Sequence, residues 1–159
     1  CRCYFLQQFF YSPLTEELEF FGVDQRHESD IEGLGRIPAE QQMKSTKVPS
    51  FNVIGNSPLV LRESLLDEVY TMGENFVEAA KRVVSPGMNG PFCIEGVYDE
   101  NAKFTSFEFS ARIVAGSNIY MDGSPYYSLL FNENMSMGKR IAREVKIATE
   151  KNQLDKITT

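Results

Sequence analysis

The segment between Phe92 and Ala111 restricts the fold more than any other part of the chain. Two runs of alternating character, 92–98 and 104–111, flank the polar link Asp99-Glu100-Asn101-Ala102-Lys103. Period-two alternation, aromatic and β-branched residues and a short turn-forming link predict a β-hairpin. With the turn centred between Asn101 and Ala102, Glu95 faces Glu108, Ile94 faces Phe109, Gly96 faces Phe107 and Cys93 faces Ser110. Side chains alternate across a sheet. One face therefore carries Phe92, Ile94, Tyr98, Phe107, Phe109 and Ala111, which can pack on a core. The other carries Cys93, Glu95, Val97, Ser106, Glu108 and Ser110. A slip of one residue would drive Glu95 or Glu108 into the apolar face, so the register is well specified.

Two glutamates directly opposed on one face have Cβ atoms about 5 Å apart and repel each other. Protonation of one, or a cation between them, removes the repulsion. Two carboxylates suit Mg²⁺, which typically takes one or two and completes its shell with waters and phosphate oxygens. A polar hairpin face that simply meets water gives the same pattern. Glu108, Ser110 and Arg112 also alternate and would share a face in one extended strand. An arginine fork beside a cation ligand fits a phosphate-bearing substrate. The plainer reading is a salt bridge between Arg112 and Glu108.

The remainder of the chain reads as α+β, an antiparallel sheet packed with helices. Residues 3–11 form an apolar and aromatic strand, Ser12-Pro13-Leu14-Thr15 a turn, and residues 18–23 a second strand. Residues 24–50 are polar and contain Gly33, Gly35, Pro38 and Pro49, as in a long excursion. A short strand over 51–54 is followed by Ser57-Pro58, which reads as an N-cap and first helical residue. Leu65, Leu66, Val69, Met72, Phe76, Val77, Ala80, Val83 and Val84 then recur at helical spacing up to Ser85-Pro86-Gly87. A loop is expected over 114–126. Ser136 caps a last helix with Met137, Ile141, Val145 and Ala148 on its core side.

With 159 residues the chain suits one domain, 1–159. It opens without Met in the strand-like run Cys3-Tyr4-Phe5-Leu6, which reads as part of a longer protein. A net charge of −6 disfavours a nucleic-acid or membrane surface. No apolar run approaches the roughly 20 residues of a membrane span. Three cysteines, Cys1, Cys3 and Cys93, make an odd count, and His27 is the single histidine. A disulfide framework and a structural zinc site are both disfavoured, and a reducing cytoplasm is expected. Cys93 reads as a packed residue rather than a reactive one.

Glu108-Phe109-Ser110-Ala111-Arg112 resembles the Glu-x-Asn-x-Arg signature of ATP-grasp ligases, with serine in place of asparagine. The runs Gly55-Asn56-Ser57-Pro58-Leu59-Val60-Leu61-Arg62-Glu63-Ser64, Phe107 through Asn118, Gly123-Ser124-Pro125-Tyr126 and Met135 through Glu144 narrow the resemblance. They look like the formate-dependent AICAR ligase (PurP) family of ATP-grasp enzymes, over nearly the whole chain. The resemblance implies the C-terminal portion of an ATP-grasp fold. It implies formylation of AICAR to FAICAR through formyl phosphate, with ATP, formate and AICAR as small-molecule substrates and Mg²⁺, or Mn²⁺, as the metal. It also implies a homo-oligomeric parent.

Carried over by position, Glu95 and Glu108 look like metal ligands, Glu28 like an ATP contact, and Asn56 like the ribonucleotide contact. Asn56 would precede a helix N-terminus suited to an anion. Arg112 is the candidate for stabilising a phosphate. Arg62, Lys139, Arg140 and Arg143 are weaker candidates, and Gly116-Ser117-Asn118 could offer backbone N–H groups. No glycine-rich phosphate loop and no phosphate-binding lysine can be assigned, so this chain alone is expected to be nearly inactive. The competing readings are another ATP-grasp carboxylate–amine ligase and a non-catalytic nucleotide-binding or oligomerisation module.

Overall fold

The computed structural model describes residues 3–158. Five strands, β1 (Tyr4–Ser12), β2 (Glu17–Glu28), β3 (Val53–Leu59), β4 (Gly90–Tyr98) and β5 (Phe104–Ser110), form one sheet. Its order is β3-β2-β1-β4-β5, and every neighbouring pair is antiparallel. Two short helices, α1 (Asp30–Gly35) and α2 (Ala39–Gln42), follow β2. The longer α3 (Leu66–Val83), α4 (Pro125–Phe131) and α5 (Met137–Glu150) complete the fold.

Alternation along β1, β2 and β4 supplies both faces of the sheet with apolar side chains. On one face Phe9, Phe20, Phe92 and Ile94 pack beneath Val69 and Val77 of α3. There the ring of Phe92 stacks on Phe9 and on Phe76, with centroids 5.1 and 5.0 Å apart. On the other face Phe10 and Phe21 meet Tyr120, Tyr127, Met135 and Met137. The α+β class and the antiparallel sheet packed with helices stand as expected.

The β4–β5 hairpin forms as expected. Asp99 Oδ1 accepts from the backbone N–H groups of Asn101 and Lys103, at 2.9 and 2.8 Å, and holds the turn. Cys93 pairs with Ser110, Ile94 with Phe109 and Glu95 with Glu108. Beyond Glu95 a bulge intervenes, and Gly96 pairs with Ser106 instead of Phe107. A Cβ on Gly96 would lie 2.4 Å from both the Phe104 ring and the Thr105 carbonyl oxygen. Only glycine allows that approach, and the displaced Phe107 packs edge-on against Tyr4 at 5.6 Å. Phe107 and Phe109 remain more than half exposed, because β5 is a sheet edge.

Other expectations change. Ser57-Pro58 does not start a helix: both residues lie in β3, paired with β2. Pro58 is tolerated there because β3 is an edge strand, and Ser57 Oγ bonds His27 Nε2 across the pair at 2.8 Å. The helix begins only after a 3₁₀ turn over Glu63–Leu65. Val83 and Val84 at its end are exposed. The 114–126 loop contains a 3₁₀ helix, Ala115–Tyr120, and the start of α4. Ser136 does cap α5, accepting from the Lys139 N–H. The buried side of α5 is Met137, Arg140, Glu144 and Ala148, while Val145 is 46% exposed. Cys93 is a free, buried thiol, and Cys1 lies outside the described residues.

Candidate functional site

β2 reaches five residues beyond the expected Val23 and carries Asp24, Arg26 and Glu28 at alternate positions. Asp24 pairs with Leu6 of β1, and Leu6 with Glu95 of β4. Glu95 pairs in turn with Glu108 of β5. Directly paired residues share a face, so Asp24, Leu6, Glu95 and Glu108 form one row across four strands. In the neighbouring row, Asn56 of β3 pairs with Arg26. The face is the one opposite α3, because Ile94 and Phe109, the neighbours of Glu95 and Glu108, lie on the α3 side.

Glu95 is 2% exposed, whereas Glu108 is exposed at the sheet edge. Arg26 Nη1 lies 2.8 Å from Glu95 Oε2 and 3.9 Å from Glu28 Oε1. The 2.8 Å contact is a buried ion pair. Glu28 Oε2 is buried without a donor. Burial pushes the Glu95 carboxyl up from its ordinary range; Arg26 draws it down, and Glu108 and Asp24 push it up again. The cluster thus holds more negative charge than Arg26 alone offsets.

Asp24 is fully buried. Its Oδ1 accepts from Gln8 Nε2 at 2.5 Å and its Oδ2 from Asn56 Nδ2 at 2.6 Å. Ser117 Oγ donates to Gln8 Oε1 at 2.5 Å. Burial raises the Asp24 carboxyl, and these two hydrogen bonds and Arg26 oppose the rise. A Cβ on Gly116 would fall 2.3 Å from Asp24 Oδ1, so the 3₁₀ turn closes over the carboxylate only because residue 116 is glycine.

The donor set fits a hard divalent ion of modest protein ligation. Glu95 and Glu108 face each other, a buried carboxylate oxygen of Glu28 lacks a donor, and Glu95 Oε2 meets the Arg26 guanidinium. Among the described residues no group of three or more His, Cys, Asp or Glu is placed to hold a metal ion. An ion here would therefore complete its shell with water or ligand oxygens, which is the habit of Mg²⁺.

Arg112 departs from the expected alternation. β5 ends at Ser110, and the exposed Arg112 donates from Nη1 to the Ile113 carbonyl at 2.9 Å, rather than pairing with Glu108. Its charge, like that of Arg26, still pulls on the Cys93 thiol, so both guanidiniums lie within electrostatic reach of the site. Asn56 stands in a strand and not before a helix, which removes the helix N-terminus from the argument. The Ser117 N–H is taken by the Val114 carbonyl.

The weaker basic candidates lie elsewhere or are already engaged. Arg140 is buried between Glu19 and Glu144. Arg143 pairs with Glu133, and Lys139 donates to the Asn134 carbonyl. Arg62 is exposed ahead of the 3₁₀ turn before α3.

Sequence reasoning missed Gln8, Asp24 and Arg26. The signal for the last two was the alternation Asp24-x-Arg26-x-Glu28, which continues the period of β2.

The family model described as "Domain of unknown function (DUF1297)" matches residues 2–159. A protein of Nitrosopumilus maritimus named "5-formaminoimidazole-4-carboxamide-1-(beta)-D-ribofuranosyl 5'-monophosphate synthetase" is 91% identical over 151 residues, 95% of this chain and 44% of that protein. One of the same name from Archaeoglobus fulgidus is 50% identical over 149 residues, 94% of this chain and 42% of that protein. The crystal structure of an IMP biosynthesis protein PurP from Thermococcus kodakaraensis superposes with a TM-score of 0.79 at 36% identity, covering 99% of this chain and 49% of that one. The chain thus spans less than half the length of the curated relatives it matches.

Proposed function

Because this chain belongs to the DUF1297 family, we propose that it is the C-terminal part of an ATP- and formate-dependent ligase that formylates AICAR to FAICAR in IMP biosynthesis. The names of relatives twice its length support the reaction, and their length supports a longer parent. The observation that carries the reading is the cross-strand pair Glu95–Glu108, on the same sheet face as Arg26 and Asn56.

Formate oxygen attacks the γ-phosphorus of ATP and ADP departs. The 5-amino nitrogen of AICAR then attacks the formyl carbon of formyl phosphate, and phosphate leaves as the nitrogen loses a proton. The protein's task is positioning and charge neutralisation, since phosphoryl transfer asks little covalent chemistry of it. Glu95 and Glu108 would hold Mg²⁺, or Mn²⁺, which would supply neutralisation of charge on the nucleotide phosphates. Arg26 offsets part of the burial that pushes the Glu95 carboxyl up. Glu28 accepts hydrogen bonds from ATP hydroxyls, Asn56 binds the ribonucleotide, and Arg112 steadies phosphate oxygens. The protein works in the cytoplasm as a homo-oligomer. Its net charge of −6 suits small-molecule substrates and not nucleic acid or membrane.

The test is ADP release by the full-length protein given ATP, AICAR and formate. Turnover that requires both AICAR and formate supports the proposal. Turnover with a different acid, or none at all, contradicts it.

A further inference from the structure

Four buried or half-buried polar side chains form a directed chain across three strands and the 3₁₀ turn. The Ser117 hydroxyl donates to Gln8 Oε1, Gln8 Nε2 donates to Asp24 Oδ1, and Asn56 Nδ2 donates to Asp24 Oδ2. Both Asp24 oxygens are occupied, its side chain is fully buried, and Gly116 packs directly on it. An ionised carboxylate only accepts hydrogen bonds. The amide facing it must therefore turn its NH₂ group inward. The two heteroatoms of an amide lie on opposite sides of Cγ, so Oδ1 of Asn56 is directed away from Asp24.

We propose that Asp24 is a positioning residue that fixes the Asn56 amide with its carbonyl oxygen outward, so that the ligand group recognised there is a hydrogen-bond donor. The inference rests on the reading of Asn56 as the ribonucleotide contact, and it narrows that reading. An N–H or O–H of the base or sugar satisfies the outward Asn56 oxygen, whereas a phosphate oxygen placed against it meets a second acceptor and is disfavoured. A ribonucleotide that offers that oxygen only an acceptor loses the contact, whatever the remaining N–H of the amide binds.

The test is steady-state kinetics on the full-length protein with ATP, formate and AICAR, beside thermal unfolding of each variant. In Asp24→Asn the new amide can offer its oxygen to Gln8 and its NH₂ to residue 56. Asn56 then turns its oxygen inward and presents NH₂ outward. The expected result is a rise of about tenfold in KM for AICAR, the scale of one ordinary hydrogen bond, with KM for ATP held and a cooperative unfolding transition no lower than that of wild type. The double variant D24N/N56D restores both the inner hydrogen bond and an outward acceptor, and KM for AICAR should return toward the wild-type value. A purely structural role for Asp24 gives no such rescue.

An unchanged KM in D24N, or no improvement in the double variant, overturns the inference. Asn56→Ala separates the two layers. If it raises KM for AICAR while D24N does not, only the positioning role fails. If it leaves KM for AICAR unchanged, the assignment of Asn56 fails and this inference with it.

Discussion

Replacing Arg140 by Met should destabilise the protein severely while leaving its ligand affinities alone. The Arg140 side chain is 5% exposed, with Glu19 of β2 and Glu144 of α5 on either side. Its Nε and Nη2 donate to Glu19 over 2.8–3.0 Å, and its Nη1 donates to Glu144 at 2.7 Å. The guanidinium carbon sits 4.2 Å from the centre of the Phe10 ring, and Ser12 Oγ donates to Glu144 at 2.6 Å. Methionine fills much of the volume but leaves two buried carboxylates without their cation. Removing one partner of a buried ion pair costs about 3–5 kcal/mol. In a domain of this size each kcal/mol shifts the unfolding midpoint by about 2–4 °C, so a fall of about 6–20 °C is expected. Circular dichroism melts of wild type and variant at one protein concentration measure it. The triple variant E19Q/R140M/E144Q removes all three charges and should recover much of the loss. A fall below about 3 °C, or a triple variant no better than the single, refutes the reasoning. A raised KM for ATP or AICAR in Arg140→Met would show that Arg140 serves an anion after all.

Two further outcomes follow from the site's electrostatics. Burial raises the Asp24 carboxyl above its unfolded value, so the folded protein holds that proton more tightly than the unfolded chain. Asp24 therefore opposes folding increasingly as pH rises through the raised value. The stability of Asp24→Asn relative to wild type should grow between about pH 4 and pH 7 in urea titrations; a flat difference contradicts this. Cys93 is fully buried, and burial first, then Glu95 and Asp24, push its thiol far up. Iodoacetamide at about pH 8 should leave Cys93 unmodified in the native protein and label it after unfolding, as read by mass spectrometry. Native labelling would show that the β1–β4 region opens readily.

The sheet was legible where local pattern and tertiary pairing agree. Alternation and the Asp99–Lys103 link fixed the pairing of Glu95 with Glu108, because a slip would have buried a charge. The bulge at Gly96 was hidden, since it depends on the Phe104 ring lying over a residue with no side chain. Ser57-Pro58 misled because a strong local helix signal lost to strand pairing with β2, a contact 32 or more residues away along the chain. The charged alternation of Asp24, Arg26 and Glu28 falls in a stretch whose composition reads as a polar excursion, which conceals Asp24 and Arg26. Arg140 reads as available from sequence because it follows Lys139 near a helix N-terminus and its partner Glu19 is remote in sequence. Glu28 and Asn56 came from family resemblance, and only the fold puts them on adjoining strands.

The central claim is that Glu95 and Glu108 together hold a divalent ion against nucleotide phosphates. Mn²⁺ titration of the full-length protein with a non-hydrolysable ATP analogue, followed by electron paramagnetic resonance, tests it most directly. Wild type should bind Mn²⁺ in an analogue-dependent manner. Glu108→Gln should lose that binding together with turnover while unfolding at nearly the same temperature, since Glu108 is exposed. Glu95→Gln should weaken Mn²⁺ binding as well, and it also removes the charge that pairs with Arg26. Unaltered Mn²⁺ binding and turnover in both variants would contradict the account.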